Sequence, residues 1–256
     1  LYADFLTYWD YIHLDTLLSL QTPKTRFPDE KIFIVYHQIT ELYFSLILWE
    51  IEQIAGADAL EESFFIARTQ RINQYFKQLR DSFSIMVQGM EKDQFLKFRM
   101  SLLPASGFQS SQYRLIEIYS TDMINLVNSA EREALTEYSD IGQQLEEKYM
   151  PVFKAAGMKY RDKNLRKLYL KNFPQSQAVI QALRELDTLS NVQWPLAHLR
   201  AAGHYLHKNP RDIEATGGTN WQKFLPPRFQ KIMFFPELWS PQEQADWGKA
   251  AFEGMV

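Results

Sequence analysis

The chain contains no cysteine among its 256 residues. Disulfides, thiolate metal sites and cysteine nucleophiles are therefore excluded. A chain without thiols suits a reducing compartment, and a cytoplasmic location is expected. There is no excess of basic charge either: the formal net charge is −3 and the pI about 6.0. Nothing here advertises nucleic acid or an anionic membrane surface. No unbroken apolar run approaches the roughly 20 residues that span a bilayer. No basic segment followed by an apolar core stands at the N-terminus, so neither a membrane partner nor a signal peptide is expected. Alternation at period two, glycine-rich strand–turn–helix signals, internal repeats and low-complexity tracts are all missing.

What remains is helical. Eighteen Phe, 13 Tyr and 6 Trp in a chain that is 46% hydrophobic suit a packed interior. Asp15–Gln21 reads as a helix and 22–28, with two prolines, as a loop. Asp29 then stands as N-cap or first-turn acid of a long run over 31–54, apolar almost all round and so expected at the centre of a bundle. A second helix is expected over 63–90, with Phe65, Ile72, Phe76, Leu79, Phe83 and Met86 inward and Arg68, Arg71, Lys77 and Arg80 on the wet side. Another runs from about Gln109 to Asn128. Phe173-Pro174 marks a boundary, and Pro195 lies near the start of an apolar helix over 191–206. The segment Phe229–Trp239 is too aromatic to be a free tail. The fold class is all-α, a helical bundle, read as a single domain over residues 1–256.

Four features could carry chemistry. His37 lies on the long apolar helix, sharing a face with Phe33, Thr40, Glu41 and Phe44. His198 lies on the late apolar helix. The stretch FRMSLLPASGFQSSQYR (98–114) breaks the helical pattern and gathers Arg99 with serine hydroxyls and glutamine amides. It reads either as a ligand-binding loop or as a plain helical corner capped by Ser106. The Thr216-Gly217-Gly218 loop offers hydroxyls and free N–H groups, but lacks the lysine and strand of a phosphate loop. No H-E-x-x-H or nucleophile elbow occurs. Two histidines on separate apolar helices suit a haem, which needs one neutral imidazole as axial ligand and often a polar group opposite. Arg99 suits a carboxylate through a bidentate pair.

These residues resemble the haem-dependent tryptophan 2,3-dioxygenase family. Four blocks carry the likeness: YWDYIHLD (8–15), DEKIFIVYHQITELYF (29–44), the 98–114 stretch with its PASGFQS core, and Trp194-x-x-x-His198 followed by Thr-Gly-Gly (216–218) and FPEL (235–238). The resemblance implies haem b with O2 as co-substrate, L-tryptophan or a close aromatic amino acid as substrate, and opening of the indole C2–C3 bond to N-formylkynurenine. His198 would be the axial ligand of the iron. His37 would be the distal, catalytic histidine facing the indole N–H. Arg99 would pair with the substrate carboxylate, and Thr216 with its ammonium and carboxylate. Phe33 and Leu102 would wall the indole pocket, with Ser106 a hydroxyl on the distal side of the haem. Tyr8, Tyr11 and Ile12 would reach a neighbour's pocket, residues 1–21 packing on that subunit in a homotetramer built as a dimer of dimers.

Two positions depart from the family pattern. Phe95 stands where the family usually has tyrosine, and the 215–221 loop reads ATGGTNW in place of GTGGSSG. Both bear on the substrate more than on the cofactor. The alternatives are a related haem oxygenase that acts on a modified tryptophan or hydroxylates another aromatic amino acid, and a helical haem-binding protein without turnover.

Overall fold

The computed structural model describes residues 7–102, 110–127, 161–206 and 227–249. Its elements are α1 (Tyr8–Tyr11), α2 (Leu14–Ser19), α3 (Asp29–Gly56), α4 (Glu62–Gly89), α5 (Lys92–Phe98) with a 3-10 turn (Arg99–Leu102), α6 (Ser111–Ser120), α7 (Leu165–Asn172), α8 (Gln177–Thr188), α9 (Trp194–Leu206), α10 (Pro227–Gln230) and α11 (Pro241–Ala245). Among the described residues there is no strand, and the all-α class holds.

Helix α4 is the strut. It runs antiparallel to α3, with Tyr36 opposite Ser82 (3.4 Å) at one end and Glu50 opposite Arg68 (3.1 Å) at the other. It runs parallel to α8 and α9. Asn73 donates to the Ala182 carbonyl (3.0 Å), Lys77 pairs with Glu185 (2.7 Å) and Arg80 bonds Gln193 (2.5 Å). The inward face expected for 63–90 is borne out: Phe65, Ile72, Phe76 and Leu79 have no exposed surface. The wet side is only partly wet, because Arg68 and Arg71 turn back onto the buried Glu50.

The first-turn acids of α3 do more than face a helix dipole. Glu30 is buried and accepts from the Lys24 and Thr25 amides (both 2.7 Å) and from the Thr25 hydroxyl. Asp29 accepts from the Glu91 amide at 2.6 Å. Together they fasten the 22–28 loop and the start of α5 to α3. Helix α6 is shorter than expected. Ser110 caps it, accepting from the Tyr113 amide (3.2 Å), and it ends at Ser120.

No break separates α8 from α9. A π turn, Leu189–Gln193, joins them, with the Trp194 amide reaching back to the Leu189 carbonyl. A regular α-helix would drive the Pro195 ring into the carbonyl four residues earlier; the wider turn accommodates it. The aromatic tail docks as expected. Phe234 and Phe235 are fully buried, and their amides donate to Asp187 (2.7 and 3.2 Å), as does the Trp239 indole (2.9 Å).

Glu50 is a carboxylate buried at the α3–α4 contact, bonded by both arginines and, at 3.4 Å, by the Tyr75 hydroxyl. Glu50→Gln should lower the unfolding free energy by roughly 1–3 kcal/mol, since it removes the buried charge that holds the partly buried Arg68 and the Tyr75 hydroxyl. Arg71→Gln should cost under about 1 kcal/mol, because that side chain is 57% exposed. Urea denaturation of the two variants checks the order; equal losses would contradict it.

Candidate active site

His37 points inward from α3. Its Nδ1 lies 2.7 Å from the Phe33 carbonyl oxygen. A carbonyl can only accept, so Nδ1 carries the proton and Nε2 is left as an acceptor. The Phe33 ring lies over the imidazole at 4.0 Å between centroids, and Tyr36 meets it edge-on at 5.8 Å. Burial pushes the His37 pKa down, against a weaker upward pull from the Phe33 carbonyl and the Glu41 carboxylate.

His198 comes from the other side, one turn after Trp194 on α9. The Phe83 ring of α4 stacks on it at 5.6 Å and Trp194 lies at 6.3 Å. Burial pushes its pKa down to about 4, and the nearness of His37 acts in the same direction. The two histidines are thus close enough to repel if charged, and both are held neutral. Neither is sealed off: each keeps accessible surface although it sits between helices. The Trp194 indole N–H beside them is buried without an acceptor among the described residues.

Arg99 opens the 3-10 turn after α5 and is only 6% exposed. Phe98 before it is fully buried and meets Phe33 at 5.8 Å, and Leu102 packs into the same apolar cluster. Helix α6 lies against α3, where Gln112 donates to the Glu41 carboxylate (2.8 Å) and backbone carbonyl (3.0 Å). Phe33, His37, Leu102 and His198 therefore line one aromatic region, with Arg99 buried next in sequence to Phe98, which packs on Phe33. Tyr8 and Tyr11 do not join it; they face solvent at 75% and 71% exposure, with Ile12 half-buried beside them. Ser106 and Thr216 lie outside the described residues.

Two aromatic partners were not singled out from the sequence. Phe83 looked like one core residue among several; it touches Tyr36, Trp194 and His198. Tyr205 meets Phe95 at 4.6 Å and spends its hydroxyl on the Met86 and Met90 carbonyls. Phe95 itself packs on Phe33 and Phe98. This wall is apolar.

A family model for tryptophan 2,3-dioxygenase matches residues 3–123, a span that holds His37 and Arg99. Curated tryptophan 2,3-dioxygenases are similar over nearly the whole length. The one from Ruegeria sp. (strain TM1040) is 26% identical over 266 residues, covering 93% of this chain and 92% of its own. The one from Bradyrhizobium diazoefficiens is 28% identical over 258 residues, covering 91% of each. The chain is thus similar to tryptophan 2,3-dioxygenases over most of its length. A further member, from Xenopus laevis, reaches 40% identity over 124 residues, 44% of this chain and 30% of its own. The tryptophan 2,3-dioxygenase family is haem-dependent and uses O2.

The depressed His198 pKa has a measurable consequence in the haem-free chain. As the pH falls below about 6.5 the unfolded chain takes up this proton first, and the folded chain follows only near 4. Stability should therefore fall as the pH drops through this window and level off below it, by about 3 kcal/mol from this group at most. Denaturation at pH 6.5, 5 and 4 checks the slope. His198→Phe should flatten it, and an unchanged slope in that variant would contradict the assignment.

Proposed function

We propose that this chain is an oxidoreductase that uses haem b and O2 to open the indole C2–C3 bond of L-tryptophan, giving N-formylkynurenine. One observation carries the reading: two neutral histidines from separate helices face the same aromatic-walled region, with a buried arginine beside it. The donor set suits haem. Among the described residues no group of three His, Asp or Glu could hold a bare metal ion, so an iron there would rest on one protein imidazole. The unpartnered Trp194 N–H one turn before His198 adds a donor with nothing yet to bond.

His198, neutral, offers a ring-nitrogen lone pair to the iron; bound haem supplies the oxygen chemistry. On the other side the Nε2 of His37 is an acceptor, suited to the indole N–H of tryptophan. Phe33 and Leu102 supply apolar contacts for the ring. Arg99 suits the carboxylate, since a planar guanidinium can bond both oxygens. Thr216 is assigned the ammonium and carboxylate, and Ser106 a hydroxyl on the distal side, both on the strength of the motif alone. These contacts hold C2–C3 in one orientation, and such positioning is the protein's share of the catalysis.

The same reading takes residues 1–256 as one helical domain acting in the cytoplasm as a homotetramer, a dimer of dimers. Tyr8, Tyr11 and Ile12 serve a neighbour's pocket. The exposure of Tyr8 and Tyr11 supports that, since the described residues of their own chain leave both rings largely uncovered.

The test of function is the purified holoprotein with L-tryptophan and O2. Formation of N-formylkynurenine is expected; a hydroxylated amino acid, or no turnover, would overturn the proposal. His198→Ala should lose the Soret band while staying helical by circular dichroism. Arg99→Met should weaken L-tryptophan binding by roughly 2–5 kcal/mol, as when one partner of a buried charge pair is removed. Tryptamine lacks the carboxylate, so it should bind the native protein poorly and lose little more in the variant. Equal losses for the two compounds would make Arg99 structural.

A further inference from the structure

Helices α8 and α9 form one rod, yet their inner faces do not line up at the spacing of an α-helix. On α8 the buried row is Val179, Ala182, Leu183 and Leu186, the spacing of a single helix face. Ala182 on this row meets α4, where Asn73 donates to its carbonyl (3.0 Å). Continued at about 100° per residue, the row would next present Gln193, Ala197 and His204, roughly two, three and five turns beyond Leu186. The side that meets α4 carries Trp194, His198 and Tyr205 instead, each one residue later. Trp194 and His198 lie against Phe83, and the Tyr205 hydroxyl donates to the Met86 and Met90 carbonyls at the end of α4. His204 is exposed.

The extra residue belongs to the π turn, Leu189–Gln193, whose wider ladder takes up one residue more than an α turn. In a plain α-helix His198 would stand about 100° further round, off the α4 side. The π turn is therefore what brings this imidazole to Phe83.

Such turns are rare, and buried side chains hold this one. Ser190 donates to the Leu186 carbonyl (2.8 Å), and Arg80 of α4 bonds Gln193 (2.5 Å). Asp187, with no exposed surface, ties it most fully. Its Oδ1 accepts from the Asn191 side-chain amide, inside the π turn, and from the Phe234 backbone N–H (both 2.7 Å). Its Oδ2 accepts from the Phe235 N–H (3.2 Å) and the Trp239 indole (2.9 Å). A carboxylate can accept all four bonds; an amide in its place would set its own N–H groups against two of the donors. We infer that Asp187 is a positioning residue for His198: through Asn191 it holds the π turn, and the π turn sets the direction of the imidazole. The inference rests on the haem reading above only for what His198 then binds.

Assays at pH 8 keep Asp187 ionised, since burial pushes its pKa up to about 6 against the pull of its four donors. In the haem-loaded full chain, Asp187→Asn and Asn191→Leu should each shift the iron–imidazole band in the resonance Raman spectrum of the ferrous form. Each should also weaken haem retention by about tenfold, as loss of a group that orients a metal ligand does, with helical circular dichroism intact. Asn191→Leu leaves the bonds from Asp187 to the 234–239 segment in place, so it separates the π turn from the docking of that segment. A third variant tests register. Deleting Asn191 together with Pro195→Ala removes both the extra residue and the proline, so the rod can run as a plain α-helix with Trp194, His198 and Tyr205 still facing α4. Its band and its haem retention should return to those of the parent, which a mere loss of packing at Asn191 would not give. In the haem-free chain the nuclear Overhauser contact between the Phe83 and His198 rings should be present in the parent and the deletion variant and lost in Asn191→Leu. A parental band in Asn191→Leu, or a deletion variant no better than Asn191→Leu, would overturn the inference. A parent without a Soret band would refute the haem reading instead, and the ring contact would then decide the inference alone.

Discussion

The rest of the structure depends on burying two imidazoles from helices distant in the chain against one set of aromatic rings. Neither helix can do this alone. Both α3 and α9 lie on α4, and the Phe83 ring reaches Tyr36 on one and Trp194 and His198 on the other. Polar contacts along α4 fix the register on each side: Arg68 and Ser82 against Glu50 and Tyr36 of α3, Asn73, Lys77 and Arg80 against α8 and the π turn. Apolar packing sets how deep the rings sit, and depth keeps them uncharged. An imidazole that stays neutral keeps a lone pair for a metal or for an N–H, which is what both proposed roles require.

The helices were legible because their periodicity is local. The limits of α3 and α4, the docking of the 229–239 tail and the first-turn acids of α3 all follow from residues near one another in sequence. What the sequence did not show depends on partners far away. Arg68 and Arg71 look like solvated charges until Glu50 is brought across from α3. Pro195 suggested a helix start, since a proline inside an α-helix costs a hydrogen bond and a clash; the π turn evades both and leaves one continuous rod.

The site was legible in a different way. Its histidines could be named as residues of interest on apolar helices, but nothing in local spacing tells that His37 and His198 approach each other. Their pairing came from resemblance, and the geometry now gives it a physical basis. Phe95 shows what geometry adds. As a departure from the family pattern it meant one polar group fewer. In the fold it packs on Phe33, Phe98 and Tyr205, and the Tyr205 hydroxyl is committed to two backbone carbonyls. That wall offers shape and dispersion rather than hydrogen bonds, and in the proposed reading polar recognition falls to His37 and Arg99.

Helix α3 explains why the inner site and the outer face belong to one argument. His37 and Gln38 are neighbours in sequence, one directed to the aromatic region and the other to the N-terminal segment. A helix apolar almost all round suits either more protein on its outside or a membrane. By length and composition alone α3 would pass for a membrane span. Glu50, bound on its inner side by two arginines of α4, argues for protein. The outer Leu42, Leu46 and Trp49 of α3 stay exposed while its inner side carries His37 to the aromatic rings, so one helix serves both the surface and the site.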